Sequence, residues 1–122
     1  MKRRVLIVDD SPAMRQLVAL AVGRVPGVVI DEAGDGMAAL KALKLASNQP
    51  YDLVFLDLNM PLMDGLTCTS LLAKNHQAKV VVVTGGRTTE SQALEAGACG
   101  FIEKPFDVFD LDRAIHGAVA PA

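Results

Sequence analysis

Residues 54–61 read Val54-Phe55-Leu56-Asp57-Leu58-Asn59-Met60-Pro61, in which an unbroken apolar run through Leu56 ends by delivering the Asp57 carboxylate. A strand with one wet face alternates apolar and polar residues, whereas a run apolar at every position suits a strand covered on both faces. Four more strand-length apolar runs lie at residues 5–8, 28–30, 80–83 and 99–102, and with 53–56 they make five. Helical spacing fills the intervals. Met14, Leu17, Val18 and Ala21 fall at i, i+3, i+4 and i+7, Val108, Leu111, Ile115 and Val119 repeat similarly near the end, and residues 37–45, 66–74 and 89–96 suit the helices between. Ser11 before Pro12 reads as an N-cap followed by proline in the first turn, where its missing N–H costs nothing. Asp64 and Asp107 suit caps for the third and last helices. Pro26-Gly27 breaks the chain before the second strand, and Gly97 suits a left-handed turn at the end of the fourth helix. The pattern is (βα)5. With right-handed crossovers it predicts an α/β fold of doubly wound type, an open five-stranded parallel sheet with helices on both faces.

With 122 residues, 51% of them hydrophobic and 21% charged, and no long polar or Pro/Ser-rich stretch, the whole chain is expected to form one domain, residues 1–122, without an internal linker. A formal net charge of −2, with Lys2-Arg3-Arg4 the single basic cluster, provides no positive field for a polyanion, so direct nucleic-acid binding is not expected. The first apolar run stops after four residues at Asp9-Asp10, far short of an export core, and no segment has membrane-spanning length. Cys68 and Cys99 lack Cys-x-x-Cys spacing and read as ordinary thiols packed as small hydrophobes in a reducing cytoplasm.

In a doubly wound sheet, residues just past the strands converge on one edge, where ligands sit. Here those residues are Asp9 and Asp10 after the first run, Asp57 after the third, Thr84 after the fourth, and Lys104 with Pro105 after the fifth. Two carboxylates about 5 Å apart repel by roughly 3 kcal/mol at an effective dielectric near 20, so such a group calls for a cation. Oxygen ligands with open positions suit a small hard divalent ion, Mg²⁺ above all. A metal there, with Lys104 and the Thr84 hydroxyl, would grip the oxygens of a phosphoryl group, and Asp57 on the central strand would be the nucleophile that forms an aspartyl phosphate. Taken singly, each residue also has a plain structural reading: Asp10 as a helix N-terminal acid, Asp57 as a turn residue, Thr84 as a strand terminator, Lys104 as a solvated lysine, Phe101 as core. Their arrival together, with types matching one chemistry, favours the site.

The Asp9-Asp10 pair after VLIV, DLNMPLMDG around Asp57, Thr84 after VVVV and FIEKPF around Lys104-Pro105 together make the chain resemble the receiver domain of two-component response regulators, of the single-domain CheY-like kind. That resemblance implies a flavodoxin-like fold with strand order 2-1-3-4-5. It implies that Asp57 accepts a phosphoryl group from a sensor histidine kinase or histidine phosphotransfer protein, that Asp9, Asp10, Asp57 and the backbone carbonyl of Asn59 hold Mg²⁺, and that Lys104 binds the phosphoryl group. It also implies a switch through Thr84 and Phe101, a cis bond before Pro105, and output to a protein partner through the face of the fourth helix, fifth strand and fifth helix. Activity would be confined to its own phosphorylation and slow dephosphorylation.

Two departures stand out. The interval from Thr84 to Lys104 is about two residues shorter than the usual family spacing, with the loss around Gly85-Gly86-Arg87, within residues 85–90; and Phe101 lacks the hydroxyl of the commoner tyrosine. The rival readings are a receiver fragment of a larger regulator, a flavodoxin-like carrier and an aspartyl phosphatase. The carrier would need hydroxyls and N–H groups in the first loop, which here reads Asp9-Asp10-Ser11-Pro12; the phosphatase would need an acid where Asn59 stands.

Overall fold

A computed structural model describes residues 3–24, 26–45, 51–57, 69–70, 79–84, 89–103, 109–111 and 113. Five parallel strands, β1 (Arg3–Val8), β2 (Val28–Ala33), β3 (Leu53–Asp57), β4 (Lys79–Thr84) and β5 (Gly100–Glu103), form one sheet in the order β2-β1-β3-β4-β5. The described helices are α1 (Pro12–Val22), α2 (Gly36–Leu45) and α3 (Glu90–Glu95), the last being the fourth in the sequence pattern. Thr69 and Ser70, within the expected third helix, are helical, as are residues 109–111 and 113 of the expected last one. No described helix is long and apolar enough to cross a membrane.

The continuous apolar strands are explained by two buried faces. Leu6, Val8, Val54, Leu56, Val80 and Val82 pack with Ala39 and Leu43 of α2 and Ala93 of α3. Their sequence neighbours Val5, Ile7, Leu53, Phe55, Val81 and Val83 pack with Val18, Ala21 and Val22 of α1 and with Leu111. Alternate side chains of a strand point to opposite faces. Full burial of each large aliphatic side chain is worth about 1.5–3 kcal/mol against leaving it in water.

Local signals act where the sequence places them. The Ser11 hydroxyl accepts the Met14 N–H at 3.3 Å, with Pro12 opening α1. Gly27 and Gly97 adopt φ of 75° and 110°, left-handed values that glycine takes without a Cβ clash. Thr89 caps α3 in a reciprocal box with Gln92, and Asp35, not singled out in the sequence, accepts the Ala38 N–H at 2.7 Å at the start of α2. The Asp64 and Asp107 caps lie outside the described residues.

Two expectations need correction. β2 runs on through Asp31-Glu32-Ala33, beyond the apolar run at 28–30, because an edge strand keeps polar side chains provided they find partners. Cys99 is exposed at the bend before β5 and is not packed as a core residue; its N–H donates to the Val80 carbonyl at 2.8 Å. Partial burial of its sulfur, only partly offset by Lys79, raises the thiol pKa and keeps it protonated. Cys68 lies outside the described residues.

Asp31 illustrates how the edge strand is satisfied. Its Oδ2 accepts the Tyr51 hydroxyl at 2.6 Å and the Arg4 guanidinium at 3.0 Å, while that guanidinium stacks 4.5 Å from the Tyr51 ring centroid. The Tyr51 hydrogen bond chiefly lowers the Asp31 pKa from its ordinary 3.8, against partial desolvation and with help from Arg4. The acid therefore contributes stability above about pH 4 that is lost as pH falls through the lowered value. With 44% of the side chain exposed, solvent screening keeps that contribution below about 1 kcal/mol.

Desolvation, then Asp31, pushes the Tyr51 pKa up from 10.0 to about 12, so the phenol's contribution is complete below pH 10.0 and lost on approaching 12. Tyr51 is the single tyrosine in a chain without tryptophan, so phenolate absorbance reports it alone. The midpoint is expected near 12 and should drop in Asp31→Asn without reaching 10.0, because desolvation persists. A wild-type midpoint at 10.0 with the fold intact by circular dichroism would contradict the cluster.

Candidate metal centre

The parallel pairing of β1 with β3 matches Val8 to Leu56, so Asp9 leaves β1 where Asp57 ends β3. Between these strands the order reverses: the chain runs from β1 outward to β2, then returns to the other side of β1 as β3. This is the switch point at which open α/β sheets bind ligands, since the loops diverge there and leave a crevice.

Asp9, Asp10 and Asp57 meet in that crevice, each with a carboxylate oxygen within 4.8 Å of the others. Asp9 and Asp57 are only 4% and 3% exposed, which removes most of the water that would screen them, whereas Asp10 is open to solvent. At an effective dielectric near 20, each pair at that separation repels by roughly 3 kcal/mol. The donor set is all hard oxygen, with one exposed acid at the entrance. It fits a small divalent cation that retains water, as Mg²⁺ does, and among the described residues it gives a soft metal no sulfur or imidazole.

Asp9 is held from several sides. Its Oδ1 accepts the Ser11 N–H at 2.8 Å, its own N–H donates to the Ala33 carbonyl of β2 at 3.1 Å, and its carbonyl accepts Nη1 of Arg15 at 2.6 Å. Nε of Arg15 donates to Glu32 Oε1 at 2.9 Å. Neither Arg15 nor Glu32 was expected at the site. An arginine on the second turn of a helix reads as solvated surface until the strand order brings β2 beside it.

Thr84 is the last residue of β4 and pairs with Glu103 of β5, one strand beyond Asp57, whose own partner on β4 is Val83. Phe101 is half-buried and packs against the core face that includes α2 and Ala93 of α3. Asn59, Lys104 and Pro105 lie outside the described residues.

Residues 5–116 match the family described as the response regulator receiver domain. The chain belongs to that family. Over 120 residues this receiver domain is 37% identical to transcriptional regulatory protein PdtaR of Mycobacterium tuberculosis, a match covering 97% of the chain and 57% of PdtaR. Over 106 residues it is 40% identical to protein-glutamate methylesterase/protein-glutamine glutaminase 3 of Hahella chejuensis, covering 83% of the chain and 30% of that protein. The receiver chain thus spans little more than half of one relative and under a third of the other. Among solved structures, the receiver domain of NtrX from Brucella abortus superposes with a TM-score of 0.81 at 32% identity, covering 97% of this chain and 99% of that one. A chain of the CheX-CheY-BeF3-Mg complex from Borrelia burgdorferi gives 0.82 at 31%, covering 98% and 90%. As a receiver domain of two-component systems, the chain carries an acid cluster consistent with a phosphoacceptor role.

Proposed function

We propose that this receiver accepts a phosphoryl group on Asp57 from the phosphohistidine of a sensor histidine kinase or histidine phosphotransfer protein, with Mg²⁺ held by Asp9, Asp10, Asp57 and the backbone carbonyl of Asn59. The observation that carries this reading is the meeting of three carboxylates at the switch point, two from the turn just after β1 and one from the end of β3, all within 4.8 Å. Bound there, Mg²⁺ would neutralise the crowded acids and balance charge on the phosphoryl oxygens.

An Asp57 carboxylate oxygen forms the new O–P bond with its own electron pair. The P–N bond breaks, its pair returns to the imidazole, and the ring takes a proton from water. Lys104 and the Thr84 hydroxyl bind phosphoryl oxygens. Phe101 moves inward as Thr84 is drawn to the phosphoryl group, and the face formed by α3, β5 and the last helix changes its affinity for a downstream protein. Phe101 has no hydroxyl to anchor at the surface, so packing alone drives its movement. Residues 1–122 act as one receiver domain in the cytoplasm. The length of the relatives beyond the matched segment favours a second reading, in which the same domain serves as the input part of a longer regulator.

Incubation with a small acyl phosphate or phosphoramidate and Mg²⁺ is expected to add one phosphoryl group per chain, measured by intact mass, and none when a chelator replaces the metal. Equal uptake with the chelator, or no uptake with Mg²⁺, contradicts the proposal.

A further inference from the structure

Arg15 links three elements whose relative positions set the metal centre. It sits on the second turn of α1, its Nη1 donates 2.6 Å to the Asp9 carbonyl at the end of β1, and its Nε donates 2.9 Å to Glu32 on β2. The Arg15 side chain is only one-fifth exposed, and its Nη1 lies beside the turn after β2, 3.8 Å from where a Cβ on Gly34 would stand. The Asp9 carbonyl belongs to the peptide plane joining Asp9 to Asp10. Pinning that plane sets ψ of Asp9 and φ of Asp10, hence the directions of two of the three clustered carboxylates. Ser11 fixes the Asp9 carboxylate separately, through its N–H at 2.8 Å.

We propose that Arg15, braced by Glu32, is a positioning residue that orients the Asp9-Asp10 pair toward the cation; this rests on the Mg²⁺ reading above. Groups that orient metal ligands without touching the ion commonly change metal affinity by roughly 10- to 100-fold when removed. The planar fork suits two acceptors in different directions, which a single ammonium on a flexible stem holds less well. Charge alone makes the opposite prediction. A cation beside the pocket repels Mg²⁺, so deleting Arg15 should tighten binding if its charge were what mattered.

Calorimetric Mg²⁺ titration of the unphosphorylated protein separates the two, in buffer where circular dichroism shows each variant folded. Arg15→Ala is expected to weaken Mg²⁺ binding by about 10-fold or more, and Arg15→Lys to weaken it as well although the charge is kept. Glu32→Gln, which keeps an acceptor without the charge and serves if the Arg15 variants fold poorly, is expected to weaken it less. In the metal-free protein the Asp10 amide resonance should shift in Arg15→Lys as the 9–10 peptide turns. Wild-type or tighter affinity in Arg15→Ala, or full affinity together with an unmoved Asp10 amide in Arg15→Lys, overturns the positioning role. A wild-type protein that binds no Mg²⁺ instead defeats the proposed function itself, and the clamp with it.

Discussion

Asp57→Asn is expected to take up no phosphoryl group from a small donor under conditions that load the wild-type protein fully, as read by intact mass and by loss of the hydroxylamine-labile adduct. An amide oxygen is a far weaker nucleophile than a carboxylate and cannot give a stable acyl phosphate. The change is nearly isosteric, so the pairing of β3 with β1 and β4 and the packing of Leu56 and Phe55 should survive, which circular dichroism checks. Asp9→Asn and Asp10→Asn behave differently. Each removes one of the proposed hard ligands while leaving the proposed acceptor, so Mg²⁺ affinity should fall by at least the roughly 10-fold typical of lost orienting groups, and phosphoryl uptake should recover partly at high Mg²⁺. Bound Mg²⁺ would also stabilise the folded state by mass action, by about 1.4 kcal/mol at tenfold excess over its dissociation constant, so a Mg²⁺-dependent rise in melting temperature is expected that shrinks in all three variants. Full uptake by Asp57→Asn would move the acceptor to another residue and sink the assignment.

Phe55→Ala should produce the largest loss of stability. Phe55 is 1% exposed on the central strand and packs on the face shared by α1 and Leu111. Truncating a buried phenylalanine forfeits its transfer free energy and leaves a cavity that the flanking strands cannot close, a loss of about 3–5 kcal/mol. Domains of this size have about 5–15 kcal/mol in all, so the melting temperature should fall by roughly 10 °C or more. Leu20→Ala provides the contrast. Leu20 is 75% exposed on α1, and removing its side chain should change stability by no more than about 0.5 kcal/mol. Urea melts with an unchanged slope for both variants would assign the difference to folded-state packing. Equal losses would contradict the two-faced core.

The reason Phe55 and Leu56 are both buried is also the reason the fold was legible. A strand covered on each face must be apolar at successive positions, so residues 53–56 and 80–83 declared their role through composition alone. Ser11-Pro12, Gly27 and Gly97 were equally readable, because capping and positive φ depend on the residue itself and its immediate neighbours. β2 was harder. Asp31 and Glu32 look like loop residues, and they extend a strand only because β1 and α1 place Arg4 and Arg15, and the chain before β3 places Tyr51, opposite them. Cys99 misled for a related reason: apolar character marks a candidate for burial, but the bend before β5 leaves that residue outside the core.

For this protein the sequence alone determined the five strands, their alternation with helices and the carboxylates that follow them, since each is written in short-range periodicity and turn chemistry. Tertiary structure decided which charges face one another. Setting β1 between β2 and β3 brought Asp57 to Asp9 and Asp10 across some fifty intervening positions and laid the Arg15 guanidinium on the Asp9 carbonyl. Coulomb energy and hydrogen bonding fall off over a few ångströms of space, whatever the separation along the chain, so the site came into being only with the strand order.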